Sequence, residues 1–153
     1  MKEIISNGLL WDTRNIVLDS NNLIDWYAGM NASTDGHRLP TKDEWQDLAA
    51  LGSTWDDERP GRWFGPDHEL RENSSQSVFL PADGFCGMDG TLYKIGIYGC
   101  YWSASPYSSL AYCLYFYRGG TYPAYYTNRR YGFNIRMVQD SLQAKPQICG
   151  MKY

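Results

Sequence analysis

Apolar residues recur at helical spacing in the first third of the chain and at strand spacing in the last third. GLLWDTRNIV predicts a short strand followed by a turn. In DSNNLIDWYAGMNAS, Leu23, Trp26, Tyr27 and Met30 fall at i, i+3, i+4 and i+7. That spacing predicts an amphipathic helix capped by Asp19 or Ser20. HRLPTKDEWQDLAALG carries the clearest local signal. Thr41 with Glu44 three residues later makes a capping box, Trp45, Leu48 and Ala49 supply a buried stripe, and Gly52 ends the helix.

Beyond Gly52 the helical period is lost. STWDDERPGRWFGPDHELRENSSQ is polar and turn-rich but holds Trp55, Trp63 and Phe64, which predicts a packed loop. SVFLPADGF, GTLYKIGIYG and GCYWSAS predict short strands divided by Gly and Pro. AYCLYFY alternates: Tyr112, Leu114 and Phe116 point one way, and Cys113, Tyr115 and Tyr117 the other. The even set is expected inward and the odd set outward. GGTYPAYYTNRR predicts a loop and YGFNIRMV a last strand. The outline is an α+β fold in which two helices pack on short, mostly antiparallel strands with long loops.

Length and composition narrow the class. The 153 residues make one domain able to bury a core without metal or disulfide staples. A net charge of −3 and the lack of a basic stripe argue against a nucleic-acid partner. No stretch is apolar for long enough to span a bilayer, and the opening MKEIISNGLLW lacks the hydrophobic run of a signal peptide.

The residues that carry chemistry form no catalytic constellation. Cys86, Cys100, Cys113 and Cys149 include no CxxC pair. They are expected as free or buried thiols, with a single disulfide as the alternative. His37 and His68 have no metal-ligand spacing, so neither a metal nor a cofactor is expected. Asp56, Asp57 and Glu58 predict a solvated turn, with calcium binding as the lesser alternative. Ser103, Ser105 and Ser108 lack a nucleophile-elbow context.

The aromatic share of 16% is the unusual quantity, and nine of the thirteen tyrosines fall between Gly99 and Val138. Tyrosine offers a broad face and a hydroxyl for only two torsions, and Ser, Gly and Asn add adaptable hydrogen bonding. The mixture points to a recognition surface, while Trp102, Tyr112 and Phe133 are expected in the core.

Several segments then occur in a telling order: GLLW, HRLPTKDEW, RWFGPDHEL, SVFLPADGF, GCYWSASPY and YGFNIRMVQD. Together they resemble the Fibrobacter succinogenes major paralogous domain, of the formylglycine-generating-enzyme-like branch of the C-type lectin fold. The resemblance implies a single domain over residues 1–140, followed by a tail at 141–153. Within that group, residues 99–138 resemble the variable region of a diversity-generating retroelement target protein, in which miscopied adenines scatter Asn-type codons. The resemblance implies variable, ligand-contacting positions at Tyr107, Ser108, Ser109, Leu110, Cys113, Tyr115, Tyr117, Tyr122, Ala124, Tyr125, Tyr126 and Asn128. It implies a non-enzymatic binding protein on a phage tail or bacterial surface, with a protein or surface glycan as partner. The alternatives are an oxidase relative of the formylglycine-generating type and a structural fibre or pilus-tip module. Cys100 and Cys113, with twelve residues between them, do not match the close cysteine pair of the oxidases, and the calcium motifs of sugar-binding C-type lectins are absent.

Overall fold

The computed structural model describes residues 5–6 and 9–140, with the backbone alone for 5–6. Gly8, Cys149 and the whole tail at 141–153 lie outside the described residues. In chain order the elements are β1 (Ile5–Ser6), β2 (Leu9–Trp11), α1 (Trp26–Asn31), α2 (Lys42–Ala50), β3 (Ser53–Asp56) and β4 (Gly61–Phe64). A 3-10 segment (His68–Asn73) leads to β5 (Val78–Pro81), β6 (Phe85–Cys86), β7 (Leu92–Tyr93), β8 (Gly99–Tyr107), β9 (Leu110–Tyr117), β10 (Gly120–Asn128) and β11 (Val138–Asp140). The fold is α+β, with three helices and several small antiparallel sheets among the described residues.

The capping box forms as its residues dictate. Thr41 Oγ1 accepts from the Glu44 backbone N–H at 3.1 Å, and Glu44 Oε1 accepts from the Thr41 N–H at 2.8 Å. Arg38 adds a two-pronged bond to both Glu44 oxygens at 2.8 Å each. Burial pushes the Glu44 carboxyl up, but the Arg38 fork and the Thr41 N–H outweigh it and hold the group below its ordinary value. A depressed carboxyl contributes stability above its unfolded pKa and loses that contribution as pH falls through the folded one. Thr41→Ala is expected to cost about 1 kcal/mol in thermal melts at neutral pH. Glu44→Gln should also destabilise at neutral pH, and the wild-type advantage over that variant should shrink as pH falls below the ordinary glutamate range. Gly52 follows at φ +108°, with His68 packed where a side chain would stand.

The first helix is shorter than its periodicity predicts. Asp19 and Ser20 take positive φ in a tight turn closed by Leu18 and Asn21, so neither caps a helix. Ile24 is extended and exchanges two backbone bonds with Phe133, which delays α1 to Trp26 and gives the cap to Asp25. The expected loop after Gly52 is instead a hairpin, β3–β4, extended by β5. Its turn is held by Asp56, which accepts from the Trp63 indole and from the Glu58 and Arg59 backbone N–H groups. Asp56 is thus buried and structural, while Asp57 and Glu58 are exposed. Of YGFNIRMV, only Val138 belongs to a regular strand. Gly132, Phe133 and Asn134 pair through single bridges, and Tyr131 and residues 135–137 belong to no ladder.

The sheet β10–β9–β8 divides the interior in two. On one face Tyr101, Leu114 and Phe116 join Trp11, Trp45, Leu48 and Phe64, beneath α2. On the other, Cys100, Trp102 and Cys113 join Ile24, Phe133 and Ile135. Gly99 sits opposite Phe116, and a Cβ there would stand 2.0 Å from the ring.

Register in this sheet decides which way the tyrosines point. Tyr122 pairs with Tyr115, and the next pair is Tyr125 with Cys113. Three steps on β10 therefore match two on β9, a bulge at Pro123 and Ala124. Because side chains alternate, the extra residue reverses the parity of everything after it. Tyr122 and Tyr125 consequently share a face, and Tyr126 joins Tyr112 on the other. Proline is tolerated because β10 is an edge strand.

Candidate ligand-binding surface

The tyrosines form two connected groups along the free edge of the sheet. On one face Tyr115 is the hub. Its ring lies 5.4 Å from Tyr122 and 6.1 Å from Tyr117 in near-parallel stacks, 5.5 Å from Tyr125, and 5.0 Å edge-on from Tyr98. On the other face Tyr107 lies 4.6 Å from Tyr126 and 5.2 Å from Tyr112. Tyr125 and Tyr126 stack at 6.4 Å and join the groups around the strand edge. Lys42, at the start of α2, stands 4.8 Å from the Tyr112 ring.

Hydrogen bonds and burial tune the phenols. Burial first, and then a bond to Tyr98, push the Tyr115 hydroxyl well above its ordinary value, and a bond to Tyr117 raises Tyr122. These two hydroxyls stay neutral across the physiological range and both donate and accept. Arg129 pins the Tyr107–Leu110 turn by donating to Ser108 O at 2.9 Å and Leu110 O at 3.0 Å. Its guanidinium lies 4.4 Å from the Trp26 ring. Arg62 secures the next turn by donating to Tyr117 O and Arg118 O at 3.0 Å each.

The structure distributes the twelve sequence-derived positions unevenly. Tyr107, Tyr122, Tyr125 and Tyr126 are 42%, 46%, 52% and 48% exposed. Ser108, Ser109 and Asn128 are also exposed, and Leu110, Tyr115, Tyr117 and Ala124 are half-buried. Cys113 is 0% exposed, which corrects its place in the outward set. The physical reason is that β9 is the central strand and carries core on both faces, so alternation here separates two interiors rather than inside from outside. Tyr112, expected in the core, is half-buried at the rim, while Trp102 and Phe133 are buried as expected. The expected GGTYPAYYTNRR loop is β10 itself, recruited by pairing along β9.

A well of about 260 Å3 opens on the Tyr115 face, with the buried Cys100, Cys113 and Phe133 among its lining and walls that include Tyr98, Tyr115, Tyr125 and Tyr131. Tyr98, Phe85 and Tyr131 were absent from the sequence-derived set. Tyr98 stands two residues before Cys100, in phase with it, so period-two reading continued one step upstream would have reached it. A larger groove, about 1140 Å3, lies elsewhere and contains none of the twelve positions. Its three arginines, Arg14, Arg59 and Arg136, are matched by Asp12, Glu72 and Asp83.

Two of the thiols, Cys100 and Cys113, are built into the core rather than poised for chemistry. Burial pushes Cys100 up to about 12 and Cys113 well above its ordinary value. A thiol needs its thiolate to attack or to ligate. Cys86 is a free, half-exposed thiol. Iodoacetamide labelling read site by site in the native protein is expected to reach Cys86 before Cys100 and Cys113. Cys100 and Cys113 should stay unlabelled at pH 9 until the protein unfolds. Fast native labelling of either buried thiol would contradict this placement. Among the described residues, no three His, Cys, Asp or Glu side chains gather as a metal set, and no helix is long and apolar enough to cross a membrane.

The chain matches no family model, no curated protein and no solved structure.

Proposed function

We propose that this chain is a non-enzymatic binding domain of the C-type lectin fold whose tyrosine-rich edge contacts a macromolecular partner. One observation carries the reading. Four large rings, Tyr107, Tyr122, Tyr125 and Tyr126, stand about half exposed in one connected cluster, on a sheet whose interior positions are fully buried. Exposed aromatic clusters of this kind mark recognition sites, because burying them against a partner releases water from large apolar faces. The protonated, buried thiols favour binding over oxidase chemistry.

The same layout suits diversification by a retroelement. The exposed positions hold little of the folding energy, since substitutions at such sites usually change stability by no more than about 0.5 kcal/mol. A phage tail or bacterial surface is the setting that goes with this reading. Sequencing beside the coding region tests it. A near-copy of the stretch encoding residues 99–138, differing at template adenines and accompanied by a reverse transcriptase gene, is the expected finding. Differences at arbitrary bases, or no template at all, would sink the diversification claim.

The tolerance of the frame has its own test. Changing Tyr107, Tyr122, Tyr125 and Tyr126 together to serine is expected to leave a folded protein, with a loss below about 2 kcal/mol. Collapse of the quadruple variant would assign the rings to the fold rather than to a partner.

A further inference from the structure

The charge around the tyrosine edge opposes that of the whole chain. The net charge is −3, yet residues 90–139 contain Lys94, Arg118, Arg129, Arg130 and Arg136 and no Asp or Glu. One of these cations, Lys94, stands against a wall of the well, and a second, Arg130, adjoins another wall residue along the chain. Lys94 Nζ lies 5.7 Å from the ring of Tyr98, which forms one wall. Arg130 is exposed and precedes Tyr131, which forms another. Arg118 is paired with Asp57, and Arg136 is buried, so neither adds to the local field in full. No carboxylate lines the well. Asp89 reaches the lining through the Tyr93 hydroxyl and the stack of Tyr93 on Phe85, and Asp83, two residues before Phe85, lines the other groove and accepts from the Asn22 amide.

The lining also restricts the ligand. Its side chains are aromatic rings, two thiols and Thr127, with no amide and no carboxylate to bind the vicinal hydroxyls of a neutral sugar. The volume is below the roughly 300–1,000 Å3 of a small-molecule pocket. It suits one side chain of a larger partner. Aromatic anchors seated in such wells and ringed by polar contacts dominate protein–protein affinity. A cationic anchor would meet Lys94 and Arg130 with no compensating carboxylate.

We propose that the well receives an aromatic side chain from an acidic segment of a protein partner. The ring is buried among Tyr98, Tyr115, Tyr125 and Tyr131, and the flanking carboxylates meet Lys94 and Arg130. This assignment rests on the reading of the tyrosine edge as the binding surface and adds the chemistry of what it binds.

Amide chemical shifts of the isotopically labelled protein test it, with the capped peptide Glu-Glu-Trp-Glu-Glu as probe. Shifts are expected at Tyr98, Tyr125, Thr127 and Tyr131. Affinity should fall about tenfold or more when alanine replaces the tryptophan. It should also fall when lysines replace the glutamates, and when salt is raised. Lys94→Glu with Arg130→Glu should reverse the preference between the acidic and basic peptides. Tyr125→Ser should weaken both the peptide contact and its shifts without unfolding the protein. Equal binding of the acidic and basic peptides would overturn the inference while leaving the tyrosine edge as a binding surface. Tighter occupation of the well by oligothymidylate, or by a neutral saccharide such as glucose, would also overturn it, because the partner would then belong to another class. No shift at these amides with any probe at millimolar concentration would overturn both the inference and the reading beneath it.

Discussion

Trp102→Ala is expected to destabilise the protein by about 3–5 kcal/mol, the range for deleting a large buried aromatic. That is a large share of the roughly 5–15 kcal/mol that holds a domain folded. The side chain is 0% exposed and stacks on Phe133 at 4.3 Å. Its indole N–H donates to Ile24 O at 3.0 Å, and its own carbonyl accepts from the Trp45 indole at 3.2 Å. One residue thus ties β8 to α2 and to the paired Ile24–Phe133 strands. At about 2–4 °C per kcal/mol for a chain of this size, the melting temperature should fall by roughly 6–20 °C. Urea unfolding should show the same loss through a lower midpoint with an unchanged slope. A loss under about 1 kcal/mol would mean that the site relaxes around the cavity and that the two cores are less tightly joined than described.

Arg136→Met is expected to cost about 3 kcal/mol or more. The guanidinium is 2% exposed and donates in three directions: to Asn15 Oδ1 at 2.8 Å, to Asp12 O at 3.0 Å and to Phe79 O at 3.1 Å. Burial lowers its pKa, with Tyr101, Asp12 and Asp83 opposing, but an arginine remains charged at any physiological pH. Methionine fills much of the volume and leaves three acceptors without their donor. Each bond to a charged group contributes about 1.5–3 kcal/mol, less what water recovers after relaxation. Arg136→Lys should rescue less than half of the loss, because an ammonium cannot reproduce the planar fork. Full rescue by lysine in urea melts would show that charge, rather than the geometry of the fork, is what the site requires.

What could be read from the sequence was local, and what could not was set by distant partners. The capping box needs only Thr41 and Glu44 on one turn, so it formed as expected. The α1 boundary depended on Ile24 pairing with Phe133, 109 positions later, which no local period reports. The β3–β4 hairpin was hidden because its strands are four residues each and its turn is stabilised by the Asp56 side chain rather than by glycine. In the binding surface, alternation correctly separated Cys113, Tyr115 and Tyr117 from Tyr112, Leu114 and Phe116. It carried no information about which face the remaining chain would cover. Burial of Cys113 follows from Phe133 and Ile135, which lie far from the alternating run.

The bulge at Pro123–Ala124 has a consequence for how this edge can change. Flattening the bulge with every residue kept would set Tyr125 opposite Tyr112 and send Tyr125 and Tyr126 to each other's sides, taking one wall from the well. Exchanging a side chain elsewhere on β10 leaves the bulge in place and every ring on its own side. Letters on β10 are therefore free to vary as long as the bulge keeps its position.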